Sequence, residues 1–278
     1  MRRRTDRSIR EGERRGAAGL YPGPTEFDRV GRMLSDGFLY RRLAPVIPCA
    51  LRNVAGGALL LHNKWQVSSL RDVFLSSHYW RLFEHLTVAP SMVVDLGGHC
   101  GHFEVLIDLV IEERFGPNHA RYLVVEASAE LLGDIRQTFD DTGIASRCTV
   151  VHGLVGRRIG SGELRINRSN LLESSVASGM DADRVEKVAY VDLLRYIPEG
   201  QPIDILKVDI EGSEYDLVDA YPTLLRRANL VVMEIHTVAG RSFDDVLQAL
   251  ESAGLRACLP HITKGSNLLV LFKREVGP

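Results

Sequence analysis

Met92-Val93-Val94-Asp95-Leu96-Gly97-Gly98-His99-Cys100-Gly101-His102-Phe103 is an apolar run that ends in an acid and then breaks into glycines. The pattern predicts a buried strand, a tight turn and the start of a helix. In a parallel α/β sheet, ligands sit outside the carboxyl ends of the strands, and glycines at that edge let backbone approach a cofactor. A dinucleotide fingerprint requires G-x-G-x-x-G, but counted from Gly97 its later glycines would fall on His99 and His102. What stands here is D-x-G-x-x-x-G, which argues against a nicotinamide-dependent oxidoreductase.

Downstream the chain alternates. Glu104 to Phe115 predicts a helix with Val105, Leu106, Leu109 and Val110 inward, Tyr122 to Glu126 a strand, Ala129 to Phe139 a helix, and Cys148 to Val151 a strand. Repeated strand-helix-strand units predict a mostly parallel sheet with right-handed crossovers and helices on both faces. Glu126, at the tip of the strand after the glycine turn, is placed to accept hydrogen bonds from both hydroxyls of a ribose; the alternative is an exposed strand-end acid. In His152-Gly153-Leu154 the backbone opened by Gly153 is expected near an adenine. From Gly153 to Val191 the alternation loosens. Gly160-Ser161-Gly162, the run Glu163 to Ile166, a polar segment holding Ser174 and Ser175, and Val185 to Val191 predict an inserted hairpin or lid.

The next motif is Lys207-Val208-Asp209-Ile210-Glu211-Gly212-Ser213-Glu214, followed by a helical Tyr215 to Ala220 and a strand Leu230 to His236. A period of two puts Lys207 and Asp209 on one strand face, and likewise Glu234 and His236. Unpaired burial of these charges would be costly, so they are expected to pair or to open onto a cleft. For Lys207 a structural ion pair is expected rather than a catalytic role. His236 ends a central strand, and its unperturbed pKa of about 6.5 suits a general base. Asp209 and Glu211 are alternatives, as base or as orienting groups. The three could also hold a divalent ion, although no compact ligand motif requires one. Phe243 to Ala253 predicts a helix closed by Gly254. Leu255 to Leu259 and Asn267 to Phe272, with Lys264-Gly265-Ser266 as the turn, predict an antiparallel edge, with His261 on the surface.

The turn D-x-G-x-x-x-G resembles the first motif of class I S-adenosylmethionine-dependent methyltransferases. The run K-V-D-I-E-G-S-E, a leucine-bearing helix and a strand ending M-E-I-H resemble the signature of the FkbM-type methyltransferase family, over residues 91–272. The resemblance implies an α/β class I methyltransferase fold, a Rossmann-like three-layer sandwich with a mostly parallel seven-stranded sheet. It also implies S-adenosylmethionine as cofactor, held by Asp95, Gly97, Gly98, His99, Gly101, Glu126, Gly153 and Asp209. Asp209, Glu211 and His236 are the candidate catalytic residues. The implied reaction is O-methylation of a hydroxyl on a small molecule, sugar or natural product. His99 departs from the family, which usually has Asn there. The alternative from another functional class is the same fold without catalysis, acting as a binding or scaffolding module.

The remainder bounds this reading. A chain of 278 residues with 45% hydrophobic and 25% charged residues is globular in composition, and a net charge of −2 gives no argument for nucleic acid or an anionic membrane. No apolar run approaches a membrane span, and a cytoplasmic location is expected. Cys49, Cys100, Cys148 and Cys258 lack zinc-site spacing and read as reduced thiols, with Cys100 a small packed residue. Residues 1–24 form an Arg-rich tail expected to be disordered. Residues 25–90 form a helical N-terminal extension, with one helix over Thr25 to Leu43 and one or two over Ser68 to Leu86, and residues 91–278 form the methyltransferase domain.

Overall fold

The structure, a computed structural model, describes residues 51–52, 58–75, 77–166 and 184–275. The expected tail, the helix over Thr25 to Leu43, and Ser174 and Ser175 lie outside these residues. A short antiparallel pair, β1 (Leu51–Arg52) and β2 (Ala58–Leu59), precedes α1 (Lys64–Leu70) and α2 (Ser77–Leu82). The alternating part then runs β3 (Met92–Leu96), α3 (His102–Phe115), β4 (Arg121–Glu126), α4 (Leu132–Thr142) and β5 (Cys148–His152). A hairpin of β6 (Ser161–Ile166) and β7 (Arg184–Ala189) interrupts it. The chain resumes with β8 (Ile203–Val208), α5 (Glu214–Ala220), α6 (Pro222–Leu225), β9 (Ala228–Ile235), α7 (Phe243–Ser252), β10 (Leu255–Ala257), β11 (Ile262–Lys264) and β12 (Asn267–Arg274).

The main sheet has the order β10-β12-β9-β8-β3-β4-β5. Neighbours from β9 to β5 are parallel, and β12 is antiparallel to β9. From β3 the chain builds outward through β4 and β5, then returns to β3's other side with β8 and β9. The strand order therefore reverses at β3 and β8, where the carboxyl ends of an open sheet leave a crevice for ligands. The expected antiparallel edge is formed by β10 and β12, with β11 as a second short strand on the same outer side of β12. This makes eight strands rather than seven, because the edge strand is broken around Pro260, which has no N–H to donate to a ladder.

Alternation along the buried strands splits the core. Val94, Leu96, Leu206, Val208 and Met233 face one layer, while Val93, Ile205 and Val232 face α3. Along α3, Val105, Leu106 and Val110 are buried as expected, whereas Leu109 is only half-buried. Its polar residues His102, Glu104 and Asp108 are each 0% exposed, which the apolar pattern did not indicate. Asp108 is enclosed by Asn118, Tyr122 and Arg147, and Glu104 lies beside Asp95 of β3. On the apolar side of α3, Leu70, Val73, Tyr79, Leu82, Phe83 and Leu86 of the N-terminal segment share one core with Phe103, Ile107 and Ile111. Arg114 of α3 secures it by donating to the carbonyls of Phe83 and Leu86. Where one or two helices were expected over Ser68 to Leu86 there are two, α1 and α2, joined by a π turn at Arg71–Leu75 and followed by a 3-10 turn at Phe83–His85. The hairpin of β6 and β7 rests Leu164 and Ile166 on Leu131 and Leu154, beside the carboxyl ends of β4 and β5. Among the described residues no helix is long and apolar enough to cross a membrane.

Candidate active site

The turn after β3 is shaped by what its glycines must avoid. A Cβ on Gly97, at φ +90°, would lie 1.8 Å from the carbonyl oxygen of Asp209, and one on Gly98 would lie 2.2 Å from the Val124 side chain. Gly101 faces the Phe139 ring at 2.6 Å in the same sense. These glycines therefore let the turn settle onto the ends of β4 and β8. His99 is left-handed, with φ +47°, a conformation that Asn and His tolerate better than most residues. The His99 N–H donates to one Glu126 carboxylate oxygen at 2.9 Å, and the Ser128 N–H donates to the other at 2.7 Å. Both ring nitrogens of His99 are buried without a hydrogen-bond partner among the described residues, and burial, aided by Lys207, lowers the ring's pKa to about 4.

Beneath the turn lies a charged pair. The β3–β8 register sets Asp95 opposite Lys207, whose Nζ donates to Asp95 Oδ1 and to the Gly97 carbonyl, both at 2.8 Å. Burial opposes the charge on Lys207, but the Asp95 carboxylate outweighs it and raises the lysine above its ordinary range. Burial and the nearby Asp95 push the fully buried Glu104 well above the usual carboxylate range. Asp95 was expected to face the cofactor. The structure places it behind the turn, 0% exposed, and Gly101 is likewise packed away against Phe139. Neither lines the cleft.

That cleft, of about 350 Å³, runs along the carboxyl edge of the sheet. At one end are Gly97, Gly98, His99, Glu126, Gly153 and Leu154, roofed by Leu131 and Leu164. At the other are Asp209, Glu211 and Glu234, with Asp72 and Tyr79 from the N-terminal segment and Lys264 from β11. Tyr79, Asp72 and Lys264 were not among the expected site residues. Their contribution depends on which distant segments close over the sheet edge.

His236, just past β9, stands behind this second end. Its Nδ1 lies 2.8 Å from Glu214 Oε1, and its Nε2 lies 3.2 Å from Glu211 and 3.8 Å from both Asp209 and Glu234. Glu214, at the start of α5 and 0% exposed, also accepts from the N–H groups of Ile210 and Gly212. It was visible in the sequence as the last residue of the motif, where a helix start is its ordinary reading. Glu211 has φ +52°, uncommon for a side chain of its size. Burial opposes protonation of His236, but the hydrogen bond it donates to Glu214 and the charges of Glu214, Glu211 and Asp209 raise it to about 9. Burial pushes Glu211 up to about 8 and raises Asp209 above the usual carboxylate range, while Lys207 works against the latter shift. Burial would also raise Glu234, but hydrogen bonds from Lys264 and Asn267 outweigh it and hold Glu234 low.

The methyltransferase FkbM domain matches residues 105–257, more than half of the chain. The chain belongs to the FkbM methyltransferase family. A comparison with curated proteins finds no match. Among solved structures, the FkbM methyltransferase of Methylobacillus flagellatus KT is similar at 16% identity and a TM-score of 0.43, over 76% of this chain and 56% of that one. An O-methyltransferase from Bacillus cereus in complex with SAH is similar at 10% identity and a TM-score of 0.42, over 75% of this chain and 88% of that one.

For an FkbM methyltransferase the cofactor is S-adenosylmethionine, which supplies an electrophilic methyl group on a sulfonium. The first end of the cleft fits such a group. Glu126 presents a carboxylate whose two oxygens are already oriented by the N–H groups of His99 and Ser128, and the unpartnered His99 ring nitrogens border the same space.

Proposed function

We propose that this FkbM methyltransferase transfers a methyl group from S-adenosylmethionine to a hydroxyl oxygen of a small polar acceptor, a sugar or a hydroxylated natural product. The observation that carries this reading is that Glu126 and the group Asp209, Glu211 and Glu234 open onto opposite ends of one cleft. A ribose-binding acid and a proton-accepting cluster are thereby set on either side of the strand-order reversal at β3 and β8. S-adenosylmethionine, held by Glu126 and the glycine turn, would supply an electrophilic methyl group to the acceptor oxygen and leave as the neutral thioether, and the carboxylate cluster would take the hydroxyl proton. The chain's part is to align the oxygen behind the methyl group and to receive that proton. The acceptor end is framed by Asp72, Tyr79, Glu234 and Lys264, a hydrogen-bonding wall suited to a polyhydroxylated molecule. A cytoplasmic site of action belongs to the same proposal, supported by the unpaired Cys100, Cys148 and Cys258.

The test has two stages. Calorimetry with S-adenosylmethionine, its demethylated product and NAD is expected to give saturable binding of the first two alone. A screen of hydroxylated acceptors with methyl-labelled cofactor is then expected to yield a methyl ether. Label recovered on nitrogen or carbon, or no cofactor binding, would overturn the reading.

A further inference from the structure

We propose that Asp209, Glu211 and His236 bind one divalent cation of the manganese class at the acceptor end of the cleft. Each offers one donor atom, and the three lie within 4.8 Å of one another. Bonds of about 2.0–2.2 Å place the donors of one small cation up to about 4 Å apart, so a modest rotation of the two acidic side chains closes the set. Asp209 and Glu211 both line the cleft, which leaves space for water or an acceptor oxygen on the cation's open side.

The imidazole is what separates this group from an ordinary acidic patch. The Glu214 carboxylate beside Nδ1 favours a proton on that nitrogen, so the proton that a cation would displace is the one on Nε2, whose lone pair would then face Asp209 and Glu211. A ligating histidine almost always has its second ring nitrogen held by such a carboxylate or carbonyl. Glu214 is fully buried, and its Oε2 has no hydrogen-bond partner among the described residues. Charge balance points the same way. Four carboxylates, those of Asp209, Glu211, Glu214 and Glu234, approach the ring nitrogens of His236. Of the nearby lysines, Lys264 bonds one of these four, Glu234, whereas Lys207 bonds Asp95 and the Gly97 carbonyl. Asp209 accepts no hydrogen bond from the described residues, and its charged contact there is the ring of His236 at 3.8 Å. Two carboxylates with one imidazole suit a cation that accepts both oxygen and nitrogen, with Mn²⁺ bound more tightly than Mg²⁺.

The site's existence is independent of methyl transfer, whereas its use rests on the function proposed above. A cation here would lie beside the acceptor hydroxyl and favour loss of its proton. The test is a titration of the full chain with Mn²⁺, without S-adenosylmethionine, following loss of the free-ion electron paramagnetic resonance signal. One saturable Mn²⁺ per chain is expected, weakened at least tenfold in Asp209→Asn and in Glu211→Gln. Glu214→Gln, which keeps an acceptor oxygen for the Ile210 and Gly212 N–H groups but removes the charge beside the imidazole, is expected to weaken it about tenfold to a hundredfold. Glu211 lies on a half-exposed turn, so its variant keeps the test valid if Asp209→Asn fails to fold. No saturable binding, or binding unchanged in Glu211→Gln and Glu214→Gln, would overturn the proposal. Cofactor calorimetry on the same samples reports separately on the methyltransferase reading.

Discussion

Lys207→Met is expected to lower stability by about 3–5 kcal/mol, because it leaves Asp95 as a buried carboxylate with no cation beside it. Asp95 is 0% exposed, and Lys207 Nζ at 2.8 Å is its ion-pair partner among the described residues. The substitution also removes the bond to the Gly97 carbonyl, at 2.8 Å, which ties the glycine turn to β8. The loss is comparable with a large fraction of the roughly 5–15 kcal/mol that stabilises a typical domain. Because Asp95→Asn/Lys207→Met removes both charges, its cost is expected to fall short of the sum of the single changes by about 1–3 kcal/mol. Urea denaturation of the four proteins measures this through midpoints at a constant slope. A Lys207→Met protein within about 1 kcal/mol of the parent, or strictly additive single changes, would show that the pair does not hold the turn.

Three further outcomes are expected. Glu126→Ala should weaken S-adenosylmethionine binding about tenfold to a hundredfold by calorimetry, through loss of charge-assisted bonds to the ribose; unchanged affinity removes that assignment. The same change should cost stability, since it strands the N–H groups of His99 and Ser128 at about 1–3 kcal/mol each, and an unaltered urea midpoint would contradict the geometry. Acidification should destabilise the fold, because burial first, then Lys207 for His99 and His99 for His102, lowers these pKa values to about 4 and about 3. Folded pKa values below the unfolded value of about 6.5 mean stability that is present above that pH and lost as pH falls toward 4, about 2 kcal/mol per histidine at pH 5. His102→Phe should flatten the dependence between pH 7 and 5; an unchanged slope in urea denaturation would remove His102 from this account.

Local pattern carried most of the fold. The run Met92 to Leu96, the strand ending in Glu126 and the strand ending in Val208 are apolar stretches of strand length. Their alternation with helical segments follows from period and chain connectivity alone, and so does the polar edge where they end. Period also placed Lys207 and Asp209 on one face. It could not say that Lys207 meets Asp95, because the partner is fixed by the β3–β8 register across 112 residues of sequence. The same limit hid Glu104, His102 and Asp108. A charged residue within a helix reads as solvent-facing until something distant covers it, and here Asn118, Tyr122 and Arg147 enclose Asp108 while Glu104 packs beside Asp95 of β3. Glu214 and His236 were both visible, yet their bond joins a helix start to a strand end and is set by how α5 packs on the sheet. Sequence by itself determined the strand-turn-helix chemistry and the set of acids at the sheet edge, since those depend on neighbours along the chain. Only the tertiary structure decided which acids face the cleft and which stand behind it, because that depends on register and on which distant segment excludes water.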